Sequence, residues 1–570
     1  MKLLRVDMNQ SRVWWEPVSP VYEHLGGRAL IAKLLLEEVP PTCEPLGPLN
    51  KLIFTPGLLG GCSVTAAGRL SVGGKSPLTK GVKEANAGGT AGDTLGKLGI
   101  KAVVIEGLAP QGSWSILHIH NDSAEILPAG DAQGLGTYAT SDRLQEHYGA
   151  ASTVISIGQA GEMRMGGAGI CVTGEGGQRS NHAARGGLGA VMGSKGLKAV
   201  VIDKPVGMIV PLADSDLFRA AARSFAQKII NDPKLGTQGS QHLYGTASIV
   251  AAVNEMGSLP TRNFSNGKFE GAETLRGEYL REVTLSRGGE AGTRCMPGCV
   301  IACRNVYVDA SSKPIVGTLQ FETIALLGSN LGLGNLDEVA QLNRMCNDFG
   351  LDTIETGAAL GVALEAGLGE FGDFESIQKL LAQVGEGTVL GRLIGSGAVV
   401  TGKVLGIKRI PAAVGQGMPG YDPRSLKGNG VTYATSPQGA DHTAGNAFGA
   451  RKEVNPLGIQ GQKELSLRLQ IIAAMLDSTG LCLFARPPII ANPQLMVDML
   501  NGRYGWGWTT EDYDRSNRDV LRMELEFNQR AGLTAADYRI PEFMCEEPLP
   551  PHNVTFDVPD SDLDSVFDTL

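Results

Sequence analysis

At 570 residues, 42% hydrophobic and 19% charged, the chain has the composition of a soluble globular protein and is too long for one simple core, so roughly two to four domains are expected. A net charge of −9 without any dense Lys/Arg run excludes a nucleic-acid binder, and no apolar stretch reaches the ~18 residues that a membrane helix needs. Nine cysteines, an odd number, follow a start (Met1-Lys-Leu-Leu-Arg-Val-Asp7) that reads as a strand and not as a signal peptide; together they point to a reducing, cytoplasmic setting.

Up to about residue 205 short β-like runs follow one another. They are Leu52-Ile-Phe-Thr55, Ala102-Val-Val-Ile-Glu106, Ser115-Ile-Leu-His-Ile-His120 turning at Asn121-Asp122, Thr153-Val-Ile-Ser-Ile157 and Ala199-Val-Val-Ile-Asp203. Few long helical patterns interrupt them, which predicts a β-rich domain with extended, glycine-lined loops. The 78 glycines recur as pairs such as Gly26-Gly27, Gly60-Gly61, Gly73-Gly74, Gly88-Gly89 and Gly186-Gly187, which permit positive φ and close approach to a bulky ligand.

Pro205 through Pro211 reads as a boundary, and beyond it the pattern turns helical. Leu217 to Ile230 is one amphipathic segment; the next opens at Asn335, with Glu338 completing an approximate capping box, and runs to Gly350. Thr353 to Gly367, Leu465 to Leu476 and Asp519 to Gly532 continue the series. The acidic tail from Asp557 to Leu570 has little to bury and is expected at the surface, partly disordered. No short-period repeat is visible, which excludes a solenoid. The predicted fold class is α+β: a β-rich N-terminal domain over 1–205, then two mainly α-helical domains over 206–410 and 411–570.

The strongest chemical signal is Cys295-Met-Pro-Gly-Cys299-Val-Ile-Ala-Cys303, answered by Cys482, 179 residues further on. A cubane iron–sulfur cluster needs four thiolates converging from several directions, and one short loop can supply about three. Pro297 and Gly298 bend the loop so that successive sulfurs can face one centre. Four thiolates also suit structural zinc, and cysteines without a ligand are common in apolar cores.

Two segments share one frame: Asn347-Asp-Phe-Gly350-Leu351-Asp352 and Asp477-Ser-Thr-Gly480-Leu481-Cys482. Each lies where an amphipathic helix stops, with glycine suited to a left-handed C′ position and leucine packing back on the last turn. Two ordinary helix ends would read the same way. Their repetition, with one touching the remote cysteine, suggests a ligand of two similar halves. Arg69 and Lys75 around Gly73-Gly74, Asn86-Ala87-Gly88-Gly89, and Arg185-Gly186-Gly-Leu-Gly-Ala-Val-Met-Gly-Ser-Lys195 add anion-binding turns. None is a Walker loop, and a dinucleotide fingerprint at Gly187-Leu-Gly189 lacks its flanking pattern.

Together with Leu25-Gly-Gly-Arg28, Asn50-Lys-Leu-Ile-Phe-Thr-Pro-Gly57, Ile157-Gly-Gln-Ala-Gly-Glu162, Phe321-Glu322-Thr323 and Tyr433-Ala-Thr-Ser-Pro-Gln-Gly-Ala-Asp441-His442, these motifs resemble the tungsten-containing aldehyde:ferredoxin oxidoreductase family over nearly the whole chain. The resemblance implies tungsten or molybdenum on two pterins (a bis-molybdopterin centre), with Mg2+ bridging the pterin phosphates, beside a [4Fe–4S] cluster on Cys295, Cys299, Cys303 and Cys482. It implies pterin or phosphate contacts from Arg69, Asn86, Ala87, Gly88, Arg185 and Gly186. Asn347, Gly350, Leu351 and Asp352 would hold one pterin, and Asp477, Gly480 and Leu481 the other. Glu322 and His442 match the family's acid and histidine near the metal, where a carboxylate can take a proton from water and a histidine can donate to a carbonyl oxygen. The implied activity is oxidation of an aldehyde to its acid, with ferredoxin or a dedicated iron–sulfur subunit as electron partner and a homo-oligomer as the assembly. A related tungsten enzyme such as an aromatic acyl-CoA reductase subunit, and a pterin-free electron-transfer subunit, are the other readings.

Four positions depart from the family pattern. The first cysteine gap has three residues where many members have two, and Asn347 replaces an aspartate. Gln438 stands where arginine is expected, implying altered substrate or pterin contacts. Gln341 replaces a glutamate that binds an intersubunit metal in some members.

Overall fold

The computed structural model describes residues 1–175 and 181–570. Its first 202 residues form two six-stranded sheets of one design. The first contains β1 (Lys2–Asp7), β2 (Arg12–Pro17), β3 (Leu52–Pro56), β4 (Leu70–Lys75), β5 (Val82–Ala87) and β6 (Ile100–Glu106), in the order β2-β1-β6-β3-β4-β5. The second contains β7 (Ser115–Ile119), β8 (Ala124–Pro128), β9 (Thr153–Ser156), β10 (Ile170–Val172), β11 (Asn181–Ala183) and β12 (Leu197–Ile202), in the order β8-β7-β12-β9-β10-β11. Adding six to each strand number turns the first order into the second. In both sheets a single parallel pair, β1·β6 or β7·β12, sits among antiparallel neighbours.

The duplication is written in the sequence: Gly99-Ile-Lys-Ala-Val-Val-Ile105 and Gly196-Leu-Lys-Ala-Val-Val-Ile202 lie 97 positions apart. Alternation along these strands sorts the side chains to two faces. Val103 and Ile105 meet Val200 and Ile202 in one core between the sheets. Ala102 and Val104 turn the other way, beneath Leu30, Ile31 and Leu34 of the helix Gly27–Glu38. Ala199 and Val201 do the same beneath Leu144 of the helix Thr137–Tyr148. The layers therefore run helix, sheet, sheet, helix, and both central strands carry an unbroken apolar Ala-Val-Val-Ile run because both of their faces are buried.

Those two helices of twelve residues each correct the expectation of few long helices in this part. Gly27–Glu38 buries eight of its residues, so it carries no polar stripe to mark it. Beyond Asp214 the chain is mainly helical, as predicted. The cysteine triplet lies in the loop between two strands, Glu290–Thr293 and Arg304–Val308, of a small antiparallel sheet. Asn335 caps the helix Leu336–Phe349 through the Asp337 N–H, without the reciprocal box expected of Glu338. The acidic tail also departs from expectation: Val558, Leu563 and Val566 are buried in the largest apolar core, and Lys427 pairs with Asp557. No helix among the described residues is long and apolar enough to cross a membrane.

Candidate active site

The helix Leu336–Phe349 ends on Gly350 at φ 74°, and the helix Gln462–Thr479 on Gly480 at φ 80°. Left-handed backbone at these points returns the next N–H to the last turn: Leu351 N donates to Cys346 O at 2.8 Å and Leu481 N to Leu476 O at 3.0 Å. Both leucines are buried, as the helix-end pattern predicts.

Each loop then docks on the same place of a different sheet. Leu481 pairs with Ala67 beside the first sheet, and Leu351 with Ala168 beside the second, both antiparallel. The Gly68 and Gly169 N–H groups donate to Gly480 O and Gly350 O at 3.1 and 2.8 Å. Cys482 N and Asp352 N donate back to Ala66 O and Gly167 O at 2.8 and 2.9 Å. Only glycine allows the approach, since a Cβ on Gly57 would stand 2.1 Å from Gly480 N and one on Gly158 2.4 Å from Phe349 C.

Between the loops lies a cavity of about 250 Å³. Arg69, Asn86, Ala87, Gly88, Arg185, Asn347, Leu351, Asp352, Cys295, Glu322 and His442, all singled out in the sequence, reach its wall. Gly186, Gly350, Asp477, Gly480 and Leu481 stand behind it. Asp477 acts through Asn86, whose Nδ2 donates to Asp477 Oδ1 at 2.9 Å, while Arg69 donates to the Asn86 side chain and, at 3.1 Å, to its carbonyl. Arg185 Nε donates to Asp352 Oδ2 at 3.1 Å, and its Nη1 to Ala440 O at 2.7 Å. Gly186, at φ 80°, accepts from Ser76 Oγ.

Glu322 and His442 face each other across this wall, with Oε1 and Nε2 3.5 Å apart. Glu322 stands in the first turn of the helix Phe321–Leu327, and its Oε2 accepts from Gly420 N–H at 2.6 Å. Burial pushes its carboxyl above the ordinary range. Its Oε1 and the His442 Nδ1 have no hydrogen-bond partner among the described residues. Buried polar atoms left open on two residues of one cavity wall are what a bound group would satisfy.

The sequence motifs left Asp441 and Gln438 without structural roles. Burial opposes the charge on Asp441, yet Lys83 at 2.8 Å and Arg185 hold its carboxyl far below the ordinary range. Gln438 is not among the residues lining the cavity. It donates to Glu524 at 2.7 Å and accepts from Glu84 N–H, tying the buried Arg28–Glu524 ion pair to β5. Gln341 is exposed on its helix. Thr318, Gln320 and Asn343 complete the polar wall; single residues on separate elements left no motif to find.

Behind Gly88 the four cysteines share one apolar pocket with Met296, Ile301 and Ala485. A Cβ at position 88 would touch Cys295 Sγ at 3.3 Å, so the cavity and the pocket are neighbours. Burial first, then the other thiols, pushes Cys295 and Cys303 up and Cys299 up to about 12. Thiolates around one zinc at ~2.3 Å would sit about 3.8 Å from each other. Among the described residues, no three cysteines bring their sulfurs within 4.8 Å of one another. The pocket therefore fits a multi-iron cluster, whose own positive charge would draw off the thiol protons, better than a single zinc ion.

The same architecture occurs in a solved structure, the active site complex BamBC of benzoyl coenzyme A reductase with 1,5-dienoyl-CoA. The match has a TM-score of 0.81 over 100% of this chain and 93% of that one, at 20% identity, and sets the chain in that fold. Among curated proteins it is 34% identical to the tungsten-containing aldehyde ferredoxin oxidoreductases of Thermococcus kodakarensis, over 96% of this chain and 92% of the relative, and of Pyrococcus furiosus, over 92% and 88%. Two family models match: the aldehyde ferredoxin oxidoreductase N-terminal domain over 3–204, and domains 2 and 3 over 220–569. The chain thus belongs to the aldehyde ferredoxin oxidoreductase family, whose members are tungsten–pterin oxidoreductases.

Proposed function

We propose that the chain oxidises a small aldehyde to its carboxylic acid. A bis-pterin tungsten centre would be held by the Asn347–Asp352 and Asp477–Leu481 loops with Arg69, Asn86, Ala87, Gly88, Arg185 and Gly186. A [4Fe–4S] cluster would be held by Cys295, Cys299, Cys303 and Cys482, and Mg2+ beside the pterin phosphates belongs to the same reading. The observation that carries it is the Glu322–His442 pair, 3.5 Å apart with an open atom on each, on the cavity wall between two matched loops. The names of the relatives support the substrate class.

The reaction consumes aldehyde and water and releases the acid, two protons and two electrons. The chemistry that the bound groups supply is acceptance of that electron pair and its relay one electron at a time. Glu322 takes the proton from water. The Gly420 N–H fixes its Oε2, leaving Oε1 as the working oxygen, and burial moves its basicity toward the operating range. His442 donates to the carbonyl oxygen and steadies the charge that develops there. Arg185 and Lys83 keep Asp441 ionised beside His442, whose Nδ1 is 3.6 Å from Asp441 Oδ1. Ferredoxin or an iron–sulfur subunit would take the electrons away.

The test is anoxic turnover with a viologen acceptor. Aldehyde-dependent dye reduction with matching formation of acid is expected. Reduction of an aromatic acyl-CoA by reduced viologen, with no aldehyde oxidation, would overturn the reading in favour of ring reduction.

A further inference from the structure

A second polar cluster lies outside the cavity, on the outer face of the second sheet. His118 and His120 are two apart on one face of β7 and its continuation, so both imidazoles point to the same side. Asp203 follows β12 directly, and its N–H donates to Ile119 O at 3.0 Å, which sets its carboxylate between the two rings. His118 Nε2 lies 2.8 Å from Asp203 Oδ1 and His120 Nδ1 2.9 Å from Oδ2. Glu125 on β8, opposite His118 in register, lies 3.2 Å from the far nitrogen of His120. Tyr148 meets the His118 ring edge-on at 4.4 Å and walls one side. His118 is buried, while His120 and Asp203 are partly open to solvent.

The duplicated sheet provides an internal reference. Strand pairing makes Arg5 the counterpart of His118, since Arg5 pairs with Val104 and His118 with Val201, 97 positions apart like the repeat itself. At that corner of the first sheet, Arg5 supplies a fixed positive charge to Glu16 and Glu38 at 2.8 and 2.6 Å. At the same corner of the second sheet, imidazoles stand in place of the guanidinium and face Asp203 and Glu125. Among the described residues, the ion pairs of Asp203 and Glu125 are made with these two histidines alone.

We propose that this corner binds a borderline divalent cation, with zinc as the best match, through His118 Nε2, His120 Nδ1 and the Asp203 carboxylate. The three residues already bring one ligand atom each within 4.8 Å of the others. The two nitrogens now sit 2.8 and 2.9 Å from different oxygens of the Asp203 carboxylate. Tetrahedral zinc with ~2.0 Å bonds needs about 3.3 Å between donors, so binding requires the carboxylate to turn and withdraw slightly as the ion takes the place of the two protons. Glu125, 3.2 Å from the outer nitrogen of His120, would accept its N–H in the metal-bound state and leave Nδ1 as the metal-facing lone pair, and the partly open face admits water as a fourth ligand. Two imidazoles and a carboxylate favour zinc over magnesium or calcium. None of the four residues lines the catalytic cavity, so the ion would clamp β7, β8 and β12 and take no part in turnover.

The experiment is equilibrium dialysis of chelator-treated, untagged holoenzyme against zinc, with zinc, iron and tungsten counted on each chain. One zinc ion per chain is expected in the wild type and none in His120→Ala or Asp203→Asn. Glu125→Gln should bind roughly tenfold to a hundredfold more weakly, as loss of an outer hydrogen-bond partner does. Unchanged iron and tungsten certify an intact fold; should His120→Ala lose them, Asp203→Asn decides. Absent zinc uptake, or uptake equal in wild type and the deciding variant, overturns the proposal and leaves a proton-held His–Asp–His cluster.

Discussion

Gly57→Ala tests whether the docked helix ends build the cavity. The new Cβ would stand 2.1 Å from Gly480 N and 2.2 Å from Thr479 C, both backbone atoms that no rotamer can clear. Ordinary contact begins at 3.4 Å, so the loop must withdraw by up to 3.4 − 2.1 = 1.3 Å. Next to Gly57 itself, Leu58 N donates to Ser478 O and Leu59 N to Thr479 O, both at 3.1 Å. Lengthened toward 4.4 Å they cease to be hydrogen bonds. Each buried pair left open costs about 1–3 kcal/mol, so the variant should lose about 2–6 kcal/mol and most of its tungsten. Gly158→Ala, which strikes Phe349 C and O at 2.4 Å, should do the same through the other loop. Gly449→Ala is the control, because its Cβ would meet only the Arg486 guanidinium, at 3.6 Å. The assays are the urea midpoint and tungsten per chain. A Gly57→Ala protein matching Gly449→Ala in both would refute the docking argument.

Glu322→Gln and His442→Asn should each retain iron and tungsten and lose turnover by about 10²–10⁴-fold; unchanged kcat in both would remove their proposed roles. Because burial raises the Glu322 pKa, wild-type activity should fall on acidification through a carboxyl above the ordinary range. That limb of the pH profile should disappear from the residual rate of Glu322→Gln. Cys303→Ser should lose most of the about four irons expected per chain, measured by metal analysis, with the loss of the brown chromophore. Full iron in that variant would remove Cys303 from the ligand set. Burial first, then the Asp477 carboxylate, raises Glu84 to about 8. The folded chain holds this proton while the unfolded chain releases it near 4.5, so stability should decline as pH rises between those values. Glu84→Gln should flatten that decline in thermal melts, and an unchanged slope would place the linkage elsewhere.

The features legible in the sequence are those that rest on rare residues at fixed spacing. Thiols are few, so Cys295, Cys299, Cys303 and Cys482 group together on spacing alone, and Gly350 and Gly480 mark helix ends because a left-handed turn needs glycine. The paired sheets are hard to see because their halves are 97 residues apart and only the run around Ala102-Val-Val-Ile105 survives nearly unchanged. Helix Gly27–Glu38 is hidden because burial around most of its circumference erases the polar stripe on which periodicity depends. In the tail, the aspartates mask Leu563 and Val566, three residues apart and both buried. Gln438 shows a different limit. Its partner Glu524 lies 86 residues away, and nothing local could reveal that it positions Arg28 and β5 away from the cavity.

The seams at Gly57 and Gly158 also set an order of manufacture. Gly158 waits 192 residues for Gly350, and Gly57 waits 423 for Gly480. At about 5–20 residues per second, those intervals are roughly 10–40 s and 20–85 s on the ribosome. The first sheet to leave the ribosome is the last to receive its helix end. Until it does, the nascent chain is an open vessel: a group too bulky to pass the finished wall has its widest access before residue 480 is made.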